Sequence, residues 1–116
     1  MIEIEYYRFY DGSNPIDPYL DSLEPKMRAK VLRTLALLEE FGTELRMPHS
    51  EYLGNGIFEL RIKIGSNIER ILYFYCPEGK AVLTNGFTKK QRRTPENEIV
   101  LARRRKAEYE RRQKDE

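Results

Sequence analysis

The chain of 116 residues is long enough for one domain with a modest core, and too short for two lobes with a cleft between them. Its residues are 34% charged with a net charge of +2, yet an aromatic content of 11% argues against disorder. No run approaches the ~18 apolar residues of a membrane span. The single Cys76 excludes an internal disulfide and a cysteine-based metal cluster. We expect one domain over residues 1–116, in the cytoplasm, that works without a cofactor, a metal or a membrane.

The charges are distributed unevenly along the chain. The first 24 residues carry six acids against Arg8 alone, whereas the segment from Lys89 onward holds eleven of the 21 basic residues against six acids. A basic end on a nearly neutral domain indicates a polyanion or an acidic protein as partner. The alternative is a solvated C-terminal helix whose charges pair at a spacing of four residues.

The N-terminal half predicts one strand followed by two helices. Residues 2–10 predict an edge strand. An Asn-Pro dipeptide opens a short helix that runs through Leu20. Apolar residues at every third or fourth position predict a second helix between Ser22 and Gly42. Residues 43–56, which are interrupted by one proline and two glycines, are expected to form a loop.

Three strands and a final helix are predicted next. Residues 58–64 alternate between apolar and charged side chains, and the more apolar residues 68–76 are typical of a central strand. Residues 81–88 predict the third strand, and Thr94-Pro95 opens the last helix. The element order predicts an α+β fold, a small antiparallel sheet with helices packed on one face.

The charged face of this sheet carries the candidate site. A two-residue turn after the first of the three strands would put Arg61 directly opposite Arg70. Like charges in that position destabilise a sheet, so the pair predicts an anion between the two guanidinium groups. If the next turn pairs Cys76 with Ala81, Arg70 in turn faces Phe87. Both registers are assumptions, because a slip of one residue would move every side chain to the other face.

The residues on this face suit the binding and cleavage of RNA. Guanidinium groups bind phosphate and stabilise charge that develops on it. Phe87 offers a ring on which an unpaired base can stack, and Lys89 and Lys90 follow at the end of the strand. Glu59 is the first candidate for a general base, and an ion pair between Glu59 and Arg61 is an equally expected role. A solvated strand surface with Phe87 in the core is the alternative interpretation.

Two further residues are weaker candidates. His49 lies in the predicted loop and is more often exposed than catalytic in such a position. Cys76 stands at a strand end with no histidine near it in sequence, so it is expected to be a small buried residue. No cluster of histidine, cysteine and aspartate has the spacing of metal ligands. Any chemistry is therefore expected to be independent of metal.

Several motifs occur in order along the chain. They are Ile57-Phe58-Glu59-Leu60-Arg61, Arg70-Ile71-Leu72-Tyr73-Phe74, Gly86-Phe87-Thr88-Lys89-Lys90 and Thr94-Pro95-Glu96-Asn97-Glu98-Ile99, followed by Ala102. This series resembles the phage-derived, HigB-like branch of the RelE/ParE toxin superfamily, and the resemblance covers nearly the whole chain.

The resemblance implies the toxin of a type II toxin–antitoxin system with a compact microbial-ribonuclease-like fold. Such toxins typically cut mRNA in the ribosomal A site, and their partner is an antitoxin that often carries a helix-turn-helix domain. Arg61 and Arg70 match the strand arginines of the family, and Phe87, Lys89 and Lys90 match the segment after its last strand.

Two functions from different classes follow. The first is a metal-independent endoribonuclease in which the 2′-OH attacks the neighbouring phosphorus. In it, Arg61 and Arg70 stabilise the phosphate, and Lys89 or Lys90 neutralises an oxygen. Two further arginines are expected to contact RNA, namely Arg92 and Arg93. The second is a ParE-like toxin that inhibits a topoisomerase by protein contact and needs no convergent arginine pair.

The partners are expected to use the charged ends of the chain. Without an unambiguous general base, we expect that the ribosome or structured RNA must supply part of the substrate geometry. The basic C-terminal segment would dock on ribosomal RNA, and an acidic antitoxin segment would compete for the arginines at 103–105, 111 and 112. The alternative surface for the antitoxin is the acidic segment 11–24.

Overall fold

The computed structural model describes residues 1–89 and 92–115. Its elements in chain order are β1 (Glu3–Tyr6), α1 (Ile16–Asp21), α2 (Pro25–Phe41), a single 3₁₀ turn (Gly42–Glu44), β2 (Ser50–Gly54), β3 (Ile57–Ile64), β4 (Asn67–Cys76), β5 (Lys80–Lys89) and α3 (Glu96–Asp115). The predicted α+β class and the two N-terminal helices are confirmed. Within the described ranges, no helix has the length and apolar character needed to cross a membrane.

The five strands form one mixed sheet in the order β1-β5-β4-β3-β2. The three predicted antiparallel strands are β3, β4 and β5, whereas β1 runs parallel to β5, so the sheet is mixed at this edge. The reason is topological, because α1 and α2 cross over one face of the sheet before the chain returns through the antiparallel strands. Residues 50–54 form β2 along the other edge of the sheet, where a loop was expected. A strand of five residues between Pro48 and two glycines has too little periodicity to stand out in the sequence.

The registers of β3, β4 and β5 decide which side chains meet. Arg61 pairs with Arg70, as predicted. The second turn pairs Cys76 with Lys80, so the assumed pairing with Ala81 is wrong by one residue. A β-bulge on β5 adds one residue before the strand ends and restores the predicted pairing of Arg70 with Phe87.

Helices cover both faces of the sheet, and the prediction that they pack on one face is therefore wrong. α1 and α2 pack on one face of the sheet and enclose a core with it. Leu60, Ile71 and Tyr73 are among the sheet residues of this core. α3 packs on the other face through Ala102, over a smaller cluster that includes Leu72. Central strands buried on both sides explain why β4 is more apolar than an alternating strand. Because the cluster under α3 is small, the part of this face near the N-terminal end of the helix is left open.

Tyr19 of α1 lies directly over Gly86 of β5. A Cβ atom at Gly86 would lie 2.5 Å from two carbon atoms of the Tyr19 ring. The ring cannot move away easily, because the Tyr19 hydroxyl donates a hydrogen bond of 2.8 Å to Glu69. Burial and this contact raise the pKa of Tyr19 well above its usual range. Glycine is required here by close packing.

We expect Gly86→Ala to lower the free energy of unfolding by about 1–3 kcal/mol, the usual cost of overpacking a core. Urea denaturation followed by circular dichroism measures the loss. The same substitution in a Tyr19→Ala background removes the clash and should cost clearly less. An equal loss in both backgrounds would contradict the packing explanation.

Candidate active site

An open cavity of about 580 Å³ lies where α3 leaves the sheet uncovered. β2, β3, β4 and the segment that leads into α3 contribute its walls. The lining residues are Glu51, Leu53, Arg61, Arg70, Arg92, Arg93, Thr94, Glu96 and Ile99. Four arginines and two carboxylates around one cavity make this the candidate site.

Arg61 reaches the cavity from β3 with a side chain that is 25% exposed. Its Nε donates a hydrogen bond of 2.9 Å to Glu59 Oε1, and its Nη2 pairs with the carboxylate of Glu51. Its Nη1 has only a weak contact with the sulfur of Met47, at 3.6 Å. Arg61 therefore keeps donor capacity for an anionic ligand.

Glu59 is fully buried beneath Arg61, with 0% of its surface exposed. Its Oε1 accepts hydrogen bonds from both Arg61 and Arg70, and its Oε2 accepts one from the Thr94 hydroxyl. The anion that the sequence predicts between Arg61 and Arg70 is thus this carboxylate. With both oxygens occupied and no exposed surface, Glu59 cannot contact a substrate as a general base. The structure shows the alternative role, an ion pair with Arg61.

Arg70 is also buried, with 3% of its surface exposed. Besides its 2.5 Å contact with Glu59, its Nη1 donates to the Thr94 hydroxyl at 2.8 Å, and its Nη2 to the backbone carbonyl of Arg92 at 3.5 Å. The predicted direct contact of Arg70 with a phosphate is therefore blocked in this structure. Its side chain instead ties the segment before α3 to the sheet.

Arg92 and Arg93 are exposed at the rim of the cavity. The backbone carbonyl of Arg92 accepts hydrogen bonds from Lys89 Nζ and from Arg70, so two cations fix this segment while both Arg92 and Arg93 side chains remain exposed. Lys89 was predicted to be a catalytic cation. In the structure its ammonium group instead supports the site by binding the Arg92 backbone. Lys90, the other predicted cation, lies outside the described residues.

Phe87 lies opposite Arg70 in the sheet but is half-buried, and it packs against the cluster under α3. The core position that was the alternative interpretation fits this ring better than a stacking platform. His49 is also half-buried, and its backbone carbonyl accepts a hydrogen bond of 2.8 Å from the Arg61 amide. Cys76 lies at the far end of β4, where burial raises the pKa of its thiol.

Glu51 is one of two cavity carboxylates that the sequence interpretation missed. It lies on β2 directly opposite Glu59, and its side chain is 42% exposed in the cavity beside Arg61. The sequence carried no clear signal for it, because a loop was expected there and the short segment 50–54 shows little periodicity. Glu96, in the first turn of α3, is the second cavity carboxylate that was missed.

A family model described as phage derived protein Gp49-like (DUF891) matches residues 18–107. The chain belongs to this Gp49-like family. The family is associated with the toxins of toxin–antitoxin systems. The matched range includes every residue that lines the cavity. No curated protein matches this Gp49-like chain.

We expect Glu59→Gln to lower the free energy of unfolding by about 3–5 kcal/mol, since it leaves Arg70 buried without a counter-charge. Urea denaturation measures the change. Glu51→Gln is the matched control, because it removes the other carboxylate partner of Arg61 at a half-exposed position and should cost under about 1 kcal/mol. Similar losses for the two variants would show that the buried network does not hold this Gp49-like fold together.

Proposed function

We propose that this chain is the toxin of a type II toxin–antitoxin system, in the HigB-like branch of the RelE/ParE superfamily. In this proposal it is an endoribonuclease that cuts mRNA on the ribosome without a metal ion. The association of the Gp49-like family with the toxins of toxin–antitoxin systems supports the toxin role, and the branch rests on the resemblance of the sequence motifs. The second part rests on one observation, the convergence of Arg61, Arg92 and Arg93 on a cavity that also holds a partly exposed carboxylate.

The cavity separates supporting charges from accessible ones. Glu59 and Arg70 neutralise each other in the interior, whereas Arg61 is partly exposed and Arg92 and Arg93 are exposed. Arginine forks recognise phosphate oxygens through paired hydrogen bonds. We infer that the scissile phosphate binds Arg61 and that Arg92 and Arg93 hold the phosphates beside it.

Glu51 takes the role of general base in this proposal. A base for this reaction must lie within hydrogen-bond reach of the 2′-OH next to the bound phosphate. Glu51 contacts Arg61 and faces the cavity, so a phosphate on Arg61 would have its ribose close to this carboxylate. Glu51 accepts the proton of the 2′-OH, and the oxygen forms a bond to phosphorus. The bond from phosphorus to the 5′-oxygen breaks and that oxygen takes up a proton from a solvent water molecule in the open cavity, which leaves a 2′,3′-cyclic phosphate and a 5′-hydroxyl.

The ribosome and an antitoxin are the partners in this proposal. The cavity is open, so in this proposal the bound ribosome fixes the path of the flexible mRNA strand. Alignment of reacting groups contributes on the order of 7–11 kcal/mol at best. The antitoxin, with a helix-turn-helix domain expected from the resemblance, would keep the toxin inactive.

We expect Glu51→Gln to lower cleavage of ribosome-bound mRNA by roughly 10²–10⁴-fold, the contribution of a general base, while the fold stays intact. Primer extension on mRNA in purified ribosome complexes measures the cut. An mRNA with a 2′-deoxy nucleotide at the cut position should survive. Cleavage of that substitute would overturn the mechanism.

We expect Arg92→Gln with Arg93→Gln to lower cleavage at least tenfold, since each charged phosphate contact is worth about 1.5–3 kcal/mol. The control is Lys26→Gln with Arg33→Gln, which removes the same charge from exposed positions on α2. The protein could instead arrest cell growth while the mRNA stays intact, and the cavity variants could arrest growth as strongly as the wild type. That result would favour the ParE-like topoisomerase inhibitor.

A further inference from the structure

A second cleft, of about 290 Å³, lies along α3 on the flank opposite the cavity. We call it the aromatic–arginine cleft, and its residues are Tyr7, Phe9, Tyr10, Leu101, Arg104, Arg105, Glu108 and Arg112. We propose that it is a second RNA-binding surface, which stacks an unpaired base on Tyr10 and binds phosphate through Arg104. The proposal rests on the proposed function for the identity of its ligand, RNA.

The aromatic rings of the cleft are unusually exposed. Tyr10 is 86% exposed and Phe9 is 38% exposed, although both lie within three residues of Tyr7, which is 3% exposed. Tyr7 and Phe9 meet edge to face with ring centroids 5.8 Å apart. Exposed rings anchored by a buried neighbour form a platform on which bases of any sequence can stack.

Two arginines extend this platform. The guanidinium of Arg112 lies 4.4 Å from the centre of the Tyr10 ring, and that of Arg105 lies 5.3 Å from the centre of the Phe9 ring. Arg105 Nη1 donates to the Thr84 carbonyl at 2.7 Å, and Arg112 Nη1 donates to the Arg8 carbonyl at 2.5 Å. Their planes are therefore held in place before any ligand binds, which reduces the entropy cost of binding.

The charge of the cleft favours a polyanion. Three arginines face one carboxylate, Glu108, which pairs with Arg112. Arg104 is exposed, and it forms no ion pair within residues 1–89 and 92–115. Arg105 and Arg112 already donate hydrogen bonds to backbone carbonyls, so few of their N–H groups remain for a carboxylate partner. The flat faces of their guanidinium groups stay available for stacking. Flat cationic faces beside an exposed ring suit a nucleobase and its phosphate better than an acidic peptide.

The aromatic–arginine cleft lies away from the cavity in which the proposed cleavage takes place. At 3.6 residues per turn, Glu96 and Ile99 of the cavity and Leu101 and Glu108 of the cleft lie on opposite flanks of α3. A strand bound to both would cross the exposed outer surface of the helix. The cleft therefore holds RNA away from the cut, so its variants should raise KM and leave kcat unchanged.

The test measures binding of a 2′-O-methyl oligoadenylate to the full chain by fluorescence anisotropy, since this probe has no 2′-OH to attack. Tyr10→Ala should weaken binding roughly 5- to 150-fold, the range for loss of one base stack. An abasic oligomer with the same number of phosphates should bind the variant and the wild type equally. Phe41→Ala, which removes a ring that is 46% exposed on α2, is the control and should change neither affinity.

Arg104→Gln supplies a second readout. It should weaken both oligomers and lower the slope of log affinity against log salt by about 0.7, as for one lost phosphate contact on a single strand. Unchanged binding of the oligoadenylate to Tyr10→Ala would overturn the proposal. A second result would also overturn it: polyglutamate binds the wild type as tightly as the oligoadenylate does, and Tyr10→Ala weakens both equally. The cleft would then be a binding surface for an acidic protein.

The two proposals can fail separately. If the wild type cuts mRNA but Tyr10→Ala binds the probe normally, only the cleft is excluded. If the wild type cuts no mRNA on the ribosome while Tyr10→Ala loses base-dependent binding, the endoribonuclease is excluded and the cleft remains an RNA-binding surface.

Discussion

The site depends on one buried carboxylate. Glu59 accepts hydrogen bonds from Arg61, Arg70 and Thr94, and so joins β3, β4 and the segment before α3. Without it, two arginines directly opposite each other in a sheet would repel, and one of them would be buried unpaired. The cost of burying these charges is offset only because the hydrogen bonds around them are nearly complete. This constraint explains why so polar a cluster lies inside a small domain.

The same network holds the accessible charges at the cavity. Arg70 and Lys89 both donate to the carbonyl of Arg92, so the backbone is fixed while the side chains of Arg92 and Arg93 stay exposed. A fixed backbone with exposed guanidinium groups can bind a phosphate without reorganising the fold. The buried arginine supports the site, and the exposed arginines are available to a ligand.

Local patterns predicted β3, β4 and β5 and the pairing of Arg61 with Arg70, because alternation and a short turn are properties of neighbouring residues. The pairing of Arg70 with Phe87 was predicted from a wrong turn register that the bulge on β5 compensates. The burial of Glu59 depends on Thr94, 35 residues further along, and no periodicity reports such a contact. Glu51 was missed for a related reason, since β2 is recognisable as a strand only through its pairing with β3.

The central claim is that the cavity directs a 2′-OH onto a phosphate held by arginines. The chemistry of the cut ends tests it most directly. Purified protein is incubated with ribosome complexes programmed with one mRNA, and the ends are identified by their reactivity toward phosphatase, kinase and ligase. The account predicts 2′,3′-cyclic phosphate on the upstream fragment and 5′-hydroxyl on the downstream fragment. A 5′-phosphate with a free 3′-hydroxyl would mean that water attacked instead, and would contradict it.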